Sequence, residues 1–268
     1  MTLSRTTHRF GRPSRSATRA ALLVVLGIAA LAPFACSDIV SSSASVLSIV
    51  FDSLAAPSVV VGDTLRDTTG AVVHPVVHVF NFKGEEVAQA PVYFLSPDSG
   101  VTVDSATGIV TADSLRSTPA RIVATIGTLQ AVQNVDVTLR PDSLQAVNAL
   151  DSLQLSFDTT LNVSPLLQVK LTHGIAPDDS AVTSWIVSFA IVAQSDPRLA
   201  ELVNDAGLRS VVDTTDATGI AGRKIRVHPL FFTSTTVDSI VVNATAKYRG
   251  AQVSGSPVRL VLLLKPPS

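Results

Sequence analysis

His74 and His78 are the first residues to test for metal-binding chemistry, because they lie only four residues apart. On a β-strand both side chains point to one face, but four residues of strand span about 13 Å. Zinc ligands lie about 2 Å from the metal, so one ion cannot reach both rings. We therefore expect both histidines to face solvent or a sheet edge, with Pro75 at an edge or bulge.

Four aspartates offer the oxygen ligands that calcium prefers. Asp213 and Asp216 precede Gly219, and Asp178 and Asp179 form a second pair. The chain lacks an Asp-x-Asp-x-Asp-Gly run with a late glutamate. Aspartates near glycine commonly accept hydrogen bonds from their own turn. We expect turn roles for them, and we predict no metal site and no cofactor.

Nucleophilic and phosphate chemistry find no local support in the sequence. Serine is abundant, but neither a Gly-x-Ser-x-Gly elbow nor a glycine-rich phosphate loop occurs. Carboxylate pairs form in space, so the sequence leaves acid/base chemistry open without favouring it. We predict that the chain is not an enzyme, and a small hydrolase on a sandwich fold is an alternative.

Cys36 is the only cysteine, and it follows an N-terminal tract typical of exported proteins. A segment with five arginines precedes an apolar run from residue 20 to residue 35. Such an order predicts an export signal over residues 1–35 and a lipid on Cys36. The tract resembles a bacterial lipoprotein signal, although Pro33 and Phe34 depart from that pattern. The resemblance implies a lipid-anchored protein of the bacterial envelope, with the membrane as a partner.

Two alternatives to lipidation remain open. An uncleaved anchor is disfavoured, because the 16 apolar residues fall short of the 18 or more expected of a spanning helix. Ordinary signal cleavage after Ala30-Leu-Ala32 would leave Pro33 next to the cut, where proline restricts the backbone.

Charge and cysteine content limit which partners and which stabilising interactions are expected of the part of the chain after residue 35. Beyond residue 35 lie 15 of the 20 basic residues and all 21 acidic ones, a net charge of −6. With no basic stripe and few aromatic residues to stack bases, nucleic acid is not an expected partner. A single cysteine forms no internal disulfide, so burial of apolar side chains must hold the fold together.

Period-two alternation of apolar and polar residues predicts an all-β chain. The apolar sets are Leu153, Leu155 and Phe157; Leu167, Val169 and Leu171; and Ile240, Val242, Ala244, Ala246 and Tyr248. Turn formers between many short strands favour antiparallel sandwiches over a parallel sheet with crossover helices. We predict a tether over 36–46, a first domain over 47–140 and a second over 141–268.

An internal repeat supports two domains. Asp52-Ser-Leu54 and Gly84 recur 90 residues later as Asp142-Ser-Leu144 and Gly174, whereas Gly108 recurs 111 residues later as Gly219. The second domain therefore carries an insertion.

The insertion is predicted to contain one short helix over 195–207. Ser195 or Asp196 would cap it, Pro197 suits its first turn and Gly207 its end. Its apolar stripe would consist of Leu199, Leu202 and Val203. The outer side would then present Arg198, Glu201 and Asp205 as candidate binding residues, although a helix that only plugs the sandwich is the simpler alternative.

Trp185 is the only tryptophan, and its strand neighbours predict a core position. It shares parity with Val187, Phe189 and Ile191, all apolar. An exposed ring would instead favour a carbohydrate-stacking platform.

Several segments resemble the bacterial immunoglobulin-like domain. They are Val60-Val-Gly-Asp-Thr64, the strand ending at Asn81-Phe-Lys-Gly84, Val101 to Ala112, and Ala120 to Thr125. The second unit is similar to the invasin/intimin type through Asp216-Ala-Thr-Gly-Ile-Ala221. The resemblance covers about residues 47–264 and implies an all-β fold of two tandem immunoglobulin-like sandwiches. It also implies a non-catalytic structural, adhesive or binding module with an unknown protein or glycan partner. A carbohydrate- or calcium-binding accessory module is the alternative.

Overall fold

The computed structural model describes residues 45–156, 162–174 and 176–266. Residues 46–268 form one compact unit. The predicted signal over 1–35 and its Cys36 lie outside the described residues. No helix in the described part of the chain has the length and apolar character needed to cross a membrane.

The described residues are all-β, as the alternation predicts. The one helical element among them is a 3₁₀ turn at Pro229–Phe231. Among the described residues, the tenth strand ends at Gln154 and ten more begin at Leu167 or later. The strands are β1 (Val46–Phe51), β2 (Ser58–Val60), β3 (Val77–Asn81), β4 (Tyr93–Leu95), β5 (Val101–Val103), β6 (Val110–Ala112), β7 (Ala120–Ile126), β8 (Leu129–Thr138), β9 (Ser143–Ala146), β10 (Leu150–Gln154), β11 (Leu167–His173), β12 (Ser180–Ala181), β13 (Ile186–Ala193), β14 (Ala200–Val203), β15 (Val212–Thr214), β16 (Ile220–Val227), β17 (Asp238–Thr245), β18 (Lys247–Tyr248), β19 (Ala251–Gln252) and β20 (Val258–Lys265).

The strands build two sandwiches with separate hydrophobic cores. In the first, the sheet β2-β8-β7-β4 faces the pairs β1-β3 and β5-β6 across a core that includes Leu65, Val110 and Ile122. In the second, the sheet β10-β20-β17-β13-β15 faces β12-β11-β16-β14 across a larger core. The alternating sets predicted from the sequence supply it: Leu167, Val169, Leu171, Ile240, Val242 and Ala244 are all buried.

Both sandwiches begin in the same way. The first strand segment pairs antiparallel in one sheet, as β1 with β3 and β9 with β11. The next segment crosses over and pairs parallel with the last strand, as β2 with β8 and β10 with β20. An opening strand shared between two sheets is typical of immunoglobulin-like sandwiches.

The repeat in the sequence is only partly a structural repeat. Gly84 and Gly174 both adopt left-handed backbone, as do Gly108 and Gly219. The Asp-Ser-Leu match is not equivalent, because Asp52 follows β1 whereas Asp142 precedes β9. In the pairing itself, Ile49 opposes Val79 and Ala146 opposes Val169, an offset of 97 for the opening strands against 90 for their partners.

The helix predicted over 195–207 is wrong. The segment is a turn, the strand β14 and a second turn. Asp196, a predicted cap, accepts a hydrogen bond from the backbone of Arg198 and so shapes a turn. In the second turn, Asn204 accepts one from the backbone of Leu208. The apolar spacing fits a helix and a short strand equally well. Pairing of Leu202 with Ile225 on β16 decides for the strand.

Burial in this segment gives a stability prediction. Leu199 is fully buried and Leu208 is 66% exposed. We expect Leu199→Ala to lower the free energy of unfolding by about 2 to 5 kcal/mol, because it leaves a cavity. Leu208→Ala, the matched control, should change it by less than about 0.5 kcal/mol. Urea denaturation of residues 46–268 measures both, and equal effects would contradict the burial described here.

Candidate functional site

The most elaborate polar cluster lies where the two sandwiches meet and centres on Asp63. This side chain is 5% exposed and follows β2. Its Oδ2 accepts hydrogen bonds of 2.9 Å from the Tyr248 hydroxyl and from Nε of Arg249, both in the second sandwich. Its Oδ1 accepts one of 2.8 Å from the Thr64 amide and one of 3.2 Å from Nε of Arg66. One carboxylate therefore joins donors from both sandwiches.

The electrostatics of the cluster favour a charged Asp63. Burial raises the pKa of Asp63, but hydrogen bonds from Arg249, the Thr64 backbone, Tyr248 and Arg66 outweigh it and hold the pKa well below its ordinary value of 3.8. Burial also raises the pKa of Tyr248, and its hydrogen bond to Asp63 raises it further. The hydroxyl therefore stays protonated and remains a donor to the carboxylate.

A tight hairpin brings Tyr248 and Arg249 to the junction. Strands β18 and β19 are joined by Arg249 and Gly250, with φ of 50° and 80°. Positive φ at both positions is typical of a type I′ turn. The hairpin abuts Gly70, where an added Cβ would lie 2.3 Å from the backbone carbon of Arg249. Only glycine at position 70 allows this approach of backbone to backbone.

A second set of hydrogen bonds ties the sandwiches together near Ser184. Ser58 donates to the backbone carbonyl of Ser184 at 2.6 Å. Ser184 in turn donates to Oδ2 of Asp136 at 2.6 Å, and the backbone of Thr183 donates to the hydroxyl of Thr138 at 3.1 Å. The junction is therefore held at two places.

A cleft of about 360 Å³ lies between the sandwiches beside this junction. Its lining includes Pro57, Arg66, Asp67, Trp185, Ser188 and Lys247. The core position predicted for Trp185 is wrong: the ring is half-buried at the start of β13 and packs on the margin of the core. The parity argument was right for Val187 and Phe189, but Trp185 lies where the strand leaves the sandwich.

The predicted binding residues lie in three separate ion pairs. Arg198 pairs with Asp196 at 2.9 Å and its guanidinium lies 4.3 Å from the centre of the Phe231 ring. Glu201, on β14, pairs with Arg226 at 3.3 Å. Asp205 pairs with Lys224 at 3.0 Å. Each residue thus has a local partner, and no shared helix face presents them together.

Of the two histidines weighed as metal ligands, His78 has structural partners and His74 faces solvent. His78 is hydrogen-bonded to Glu86 at 2.7 Å and to Asp52 at 3.2 Å, and these bonds, that to Glu86 foremost, raise its pKa. His74 is exposed, as predicted. In residues 45–156, 162–174 and 176–266 no group of three acidic, histidine or cysteine residues could hold a metal ion.

Asp216 has the turn role expected of it, whereas Asp213 lies on β15 and bonds to residues of β16 instead. Oδ1 of Asp216 accepts hydrogen bonds from the backbone and hydroxyl of Thr218 and from the backbone of Ile220. Asp213 pairs with Arg223 at 2.8 Å and accepts from the backbone of Gly222. Asp179 lies 3.9 Å from Lys170, and Asp178 is exposed.

Local sequence does not predict the Asp63 cluster. Asp63 lies within Val60-Val-Gly-Asp-Thr64, whose only signal is the resemblance to the immunoglobulin-like domain. The separation of 186 residues between Asp63 and Arg249 leaves no local signal of their contact.

Comparison with known proteins gives no family. No family model and no curated protein matches the sequence. Among solved structures, the S-layer protein rSbsC(31–844) aligns over 84% of this chain and 28% of its own, at 10% identity and a TM-score of 0.31. The chain therefore spans less than a third of that protein.

Two cadherin structures align similarly. The protocadherin GammaB4 extracellular domain covers 82% of this chain and 34% of its own, at 14% identity and a TM-score of 0.30. Human protocadherin-24 EC1-2 covers 82% and 98%, at 14% identity and a TM-score of 0.24.

The depressed pKa of Asp63 gives a pH prediction. Because the pKa is lower in the folded state than the ordinary 3.8, the stabilisation is present above about pH 4 and is lost as the pH falls toward the folded value. Asp63→Asn should lower the free energy of unfolding by about 1.5 to 3 kcal/mol at pH 7. The difference from wild type should shrink below about pH 4 in urea titrations. A difference independent of pH would contradict a charged Asp63.

The close approach at Gly70 gives a second prediction, with Gly84 as its control. Both glycines have positive φ, but an added Cβ at Gly84 meets no atom within 4 Å. Gly84→Ala should cost about 1 to 2 kcal/mol from backbone strain alone. Gly70→Ala should cost more and should change the emission of Trp185, because the hairpin must move. Equal losses of unfolding free energy in the two variants, with unchanged Trp185 emission, would show that Gly70 does not contact the hairpin.

Proposed function

We propose that the chain is an exported protein of a bacterial envelope, anchored in a membrane by lipid on Cys36, whose two sandwiches act as one stiff, non-catalytic unit in a structural or adhesive role. The observation that carries this proposal is the Asp63 cluster. It commits a buried carboxylate to Tyr248 and Arg249 across the junction.

Stiffness follows from the sum of the junction contacts. Domains within a chain move relative to each other unless their interface holds them. Here only residues 139–142 separate β8 from β9. The Asp63 cluster, with the adjoining approach of Gly70 to Gly250, forms one attachment, and the hydrogen bonds of Ser184 form a second. These two attachments and the short linker together restrict rotation as well as separation.

The proposal assigns no catalytic step. The carboxylates of Asp63, Asp213 and Asp216 are committed to hydrogen bonds within the protein. Such groups hold turns and contacts in place, and a spacer or adhesive module requires that of them.

Spin labels test the stiffness directly. Residues 46–268 contain no cysteine, so Thr102→Cys on β5 and Arg259→Cys on β20 place one label on each sandwich. Both positions are exposed. We expect one narrow distance distribution by double electron–electron resonance, and Asp63→Ala should broaden it.

Asp98→Ala is the matched control for the label experiment. Asp98 binds Arg121 at 3.0 Å within the first sandwich, and Arg121 lowers its pKa to about 2, so it is also a charged, bonded aspartate. The Asp98→Ala substitution should leave the distance distribution between the two labels narrow. A broad distribution in the wild type would refute the stiff unit.

Lipidation of Cys36 is tested separately. The mature wild-type chain should begin at Cys36 and carry acyl mass there. It should partition with membranes if it carries more than one acyl chain, which stable anchoring requires. Cys36→Ala should lose that mass and stay unprocessed or become soluble. A mature N-terminus beyond residue 36 without lipid would refute the anchor and leave the stiff unit unaffected.

A further inference from the structure

The cleft between the sandwiches has the size and position of a ligand site. Its volume of about 360 Å³ lies within the range of small-molecule pockets, which occur preferentially where domains meet. Residues 56–58 and 66–69 form the wall from the first sandwich. Trp185, Ser188 and Lys247 belong to the wall from the second. Because the junction is fixed at several points, the two walls are held at a constant separation.

Trp185 is held in place from several directions. Its indole Nε1 donates to the backbone carbonyl of Lys247 at 3.2 Å, and its ring centre lies 6.2 Å from that of Tyr248. Its backbone nitrogen donates to the Thr215 hydroxyl at 2.9 Å. The half-buried indole is therefore a fixed apolar surface on the lining of the cleft. A preorganised aromatic surface binds a flat apolar face with little loss of side-chain entropy.

The remaining lining combines apolar and polar residues and has little net charge. Arg66 and Lys247 are opposed by Asp67 and by the neighbouring Asp63. The Arg66 guanidinium is already engaged by Asp63 and by the carbonyl of Gly70. The other lining residues are the apolar Ala56, Pro57 and Ile186 and five residues with hydroxyl groups: Ser58, Thr68, Thr69, Ser188 and Thr245. Such a lining suits a ligand with many neutral hydroxyls better than it suits an anion, which would require a surplus of cations.

We propose that this cleft binds a neutral saccharide, with the C–H face of one sugar ring against Trp185 and its hydroxyls toward the polar residues of the two walls. A pyranose ring has an apolar face and a polar rim, which correspond to the indole and to the hydroxyl-rich lining. The proposal goes beyond the structural role above, which would stand if no saccharide bound.

Because Trp185 is the only tryptophan and lines the cleft, its fluorescence reports binding at this site. Glucose, galactose, mannose, N-acetylglucosamine and their disaccharides are titrated into residues 46–268, a compact unit of its own. Emission and acrylamide quenching of Trp185 are recorded, and isothermal calorimetry gives the affinity. We expect at least one saccharide to shift the emission saturably and to protect the indole from the quencher.

Two arginine substitutions on one strand locate the binding. Ser188 and Ala190 are both exposed on the same face of β13, and of the two only Ser188 lines the cleft. Ser188→Arg should fill the cleft and weaken binding by about tenfold or more, equal to about 1.4 kcal/mol. Ala190→Arg should leave the affinity unchanged. Thermal unfolding of both variants verifies that the junction stays folded.

Three results would overturn the proposal. The first is the absence of any saturable response across the saccharide panel. The second is equal affinity of the Ser188→Arg and Ala190→Arg variants, which would place binding elsewhere. The third is full competition by inorganic phosphate or sulfate, which would identify an anion site instead.

Discussion

The relation between the two sandwiches depends on one buried carboxylate. A charge removed from water is costly unless hydrogen bonds replace its hydration. Thr64 and Arg66 provide part of that replacement for Asp63, and the rest comes from Tyr248 and Arg249 when the other sandwich approaches. The cost of burying Asp63 thus becomes a penalty for separating the sandwiches. The glycines at 70 and 250 let the backbones come close enough for these bonds to form.

The fixed separation of the two sandwiches also explains why the cleft between them keeps its shape. A gap between two domains that rotate freely changes shape continually and binds little. Here the hydrogen bonds around Ser184 and those around Asp63 hold the walls in register. The same contacts that would give an envelope protein stiffness therefore preorganise a surface that contains its only tryptophan. Preorganisation of this kind lowers the entropic cost of binding.

The sequence predicted strands well and long-range contacts poorly. Alternation placed Leu167, Val169 and Leu171 in the core because strand geometry alone fixes which side chains share a face. The segment over 195–207 was misassigned because its apolar spacing suits two structures, and pairing with β16, invisible in the local sequence, decided between them. The core position predicted for Trp185 was wrong for a related reason. Parity shows which face of a strand a side chain occupies, but not where the strand leaves the core.

The parallel pairing that opens each sandwich has a mechanical consequence. In each sandwich the second strand segment, β2 or β10, pairs in parallel with the last strand, so tension between the two chain ends shears that pairing along its whole length at once. The pairing of β10 with β20 joins five residue pairs, whereas that of β2 with β8 joins three. Under load between its ends, the first sandwich should therefore yield before the second, and the sandwich farther from the N-terminus would be the last to lose its shape.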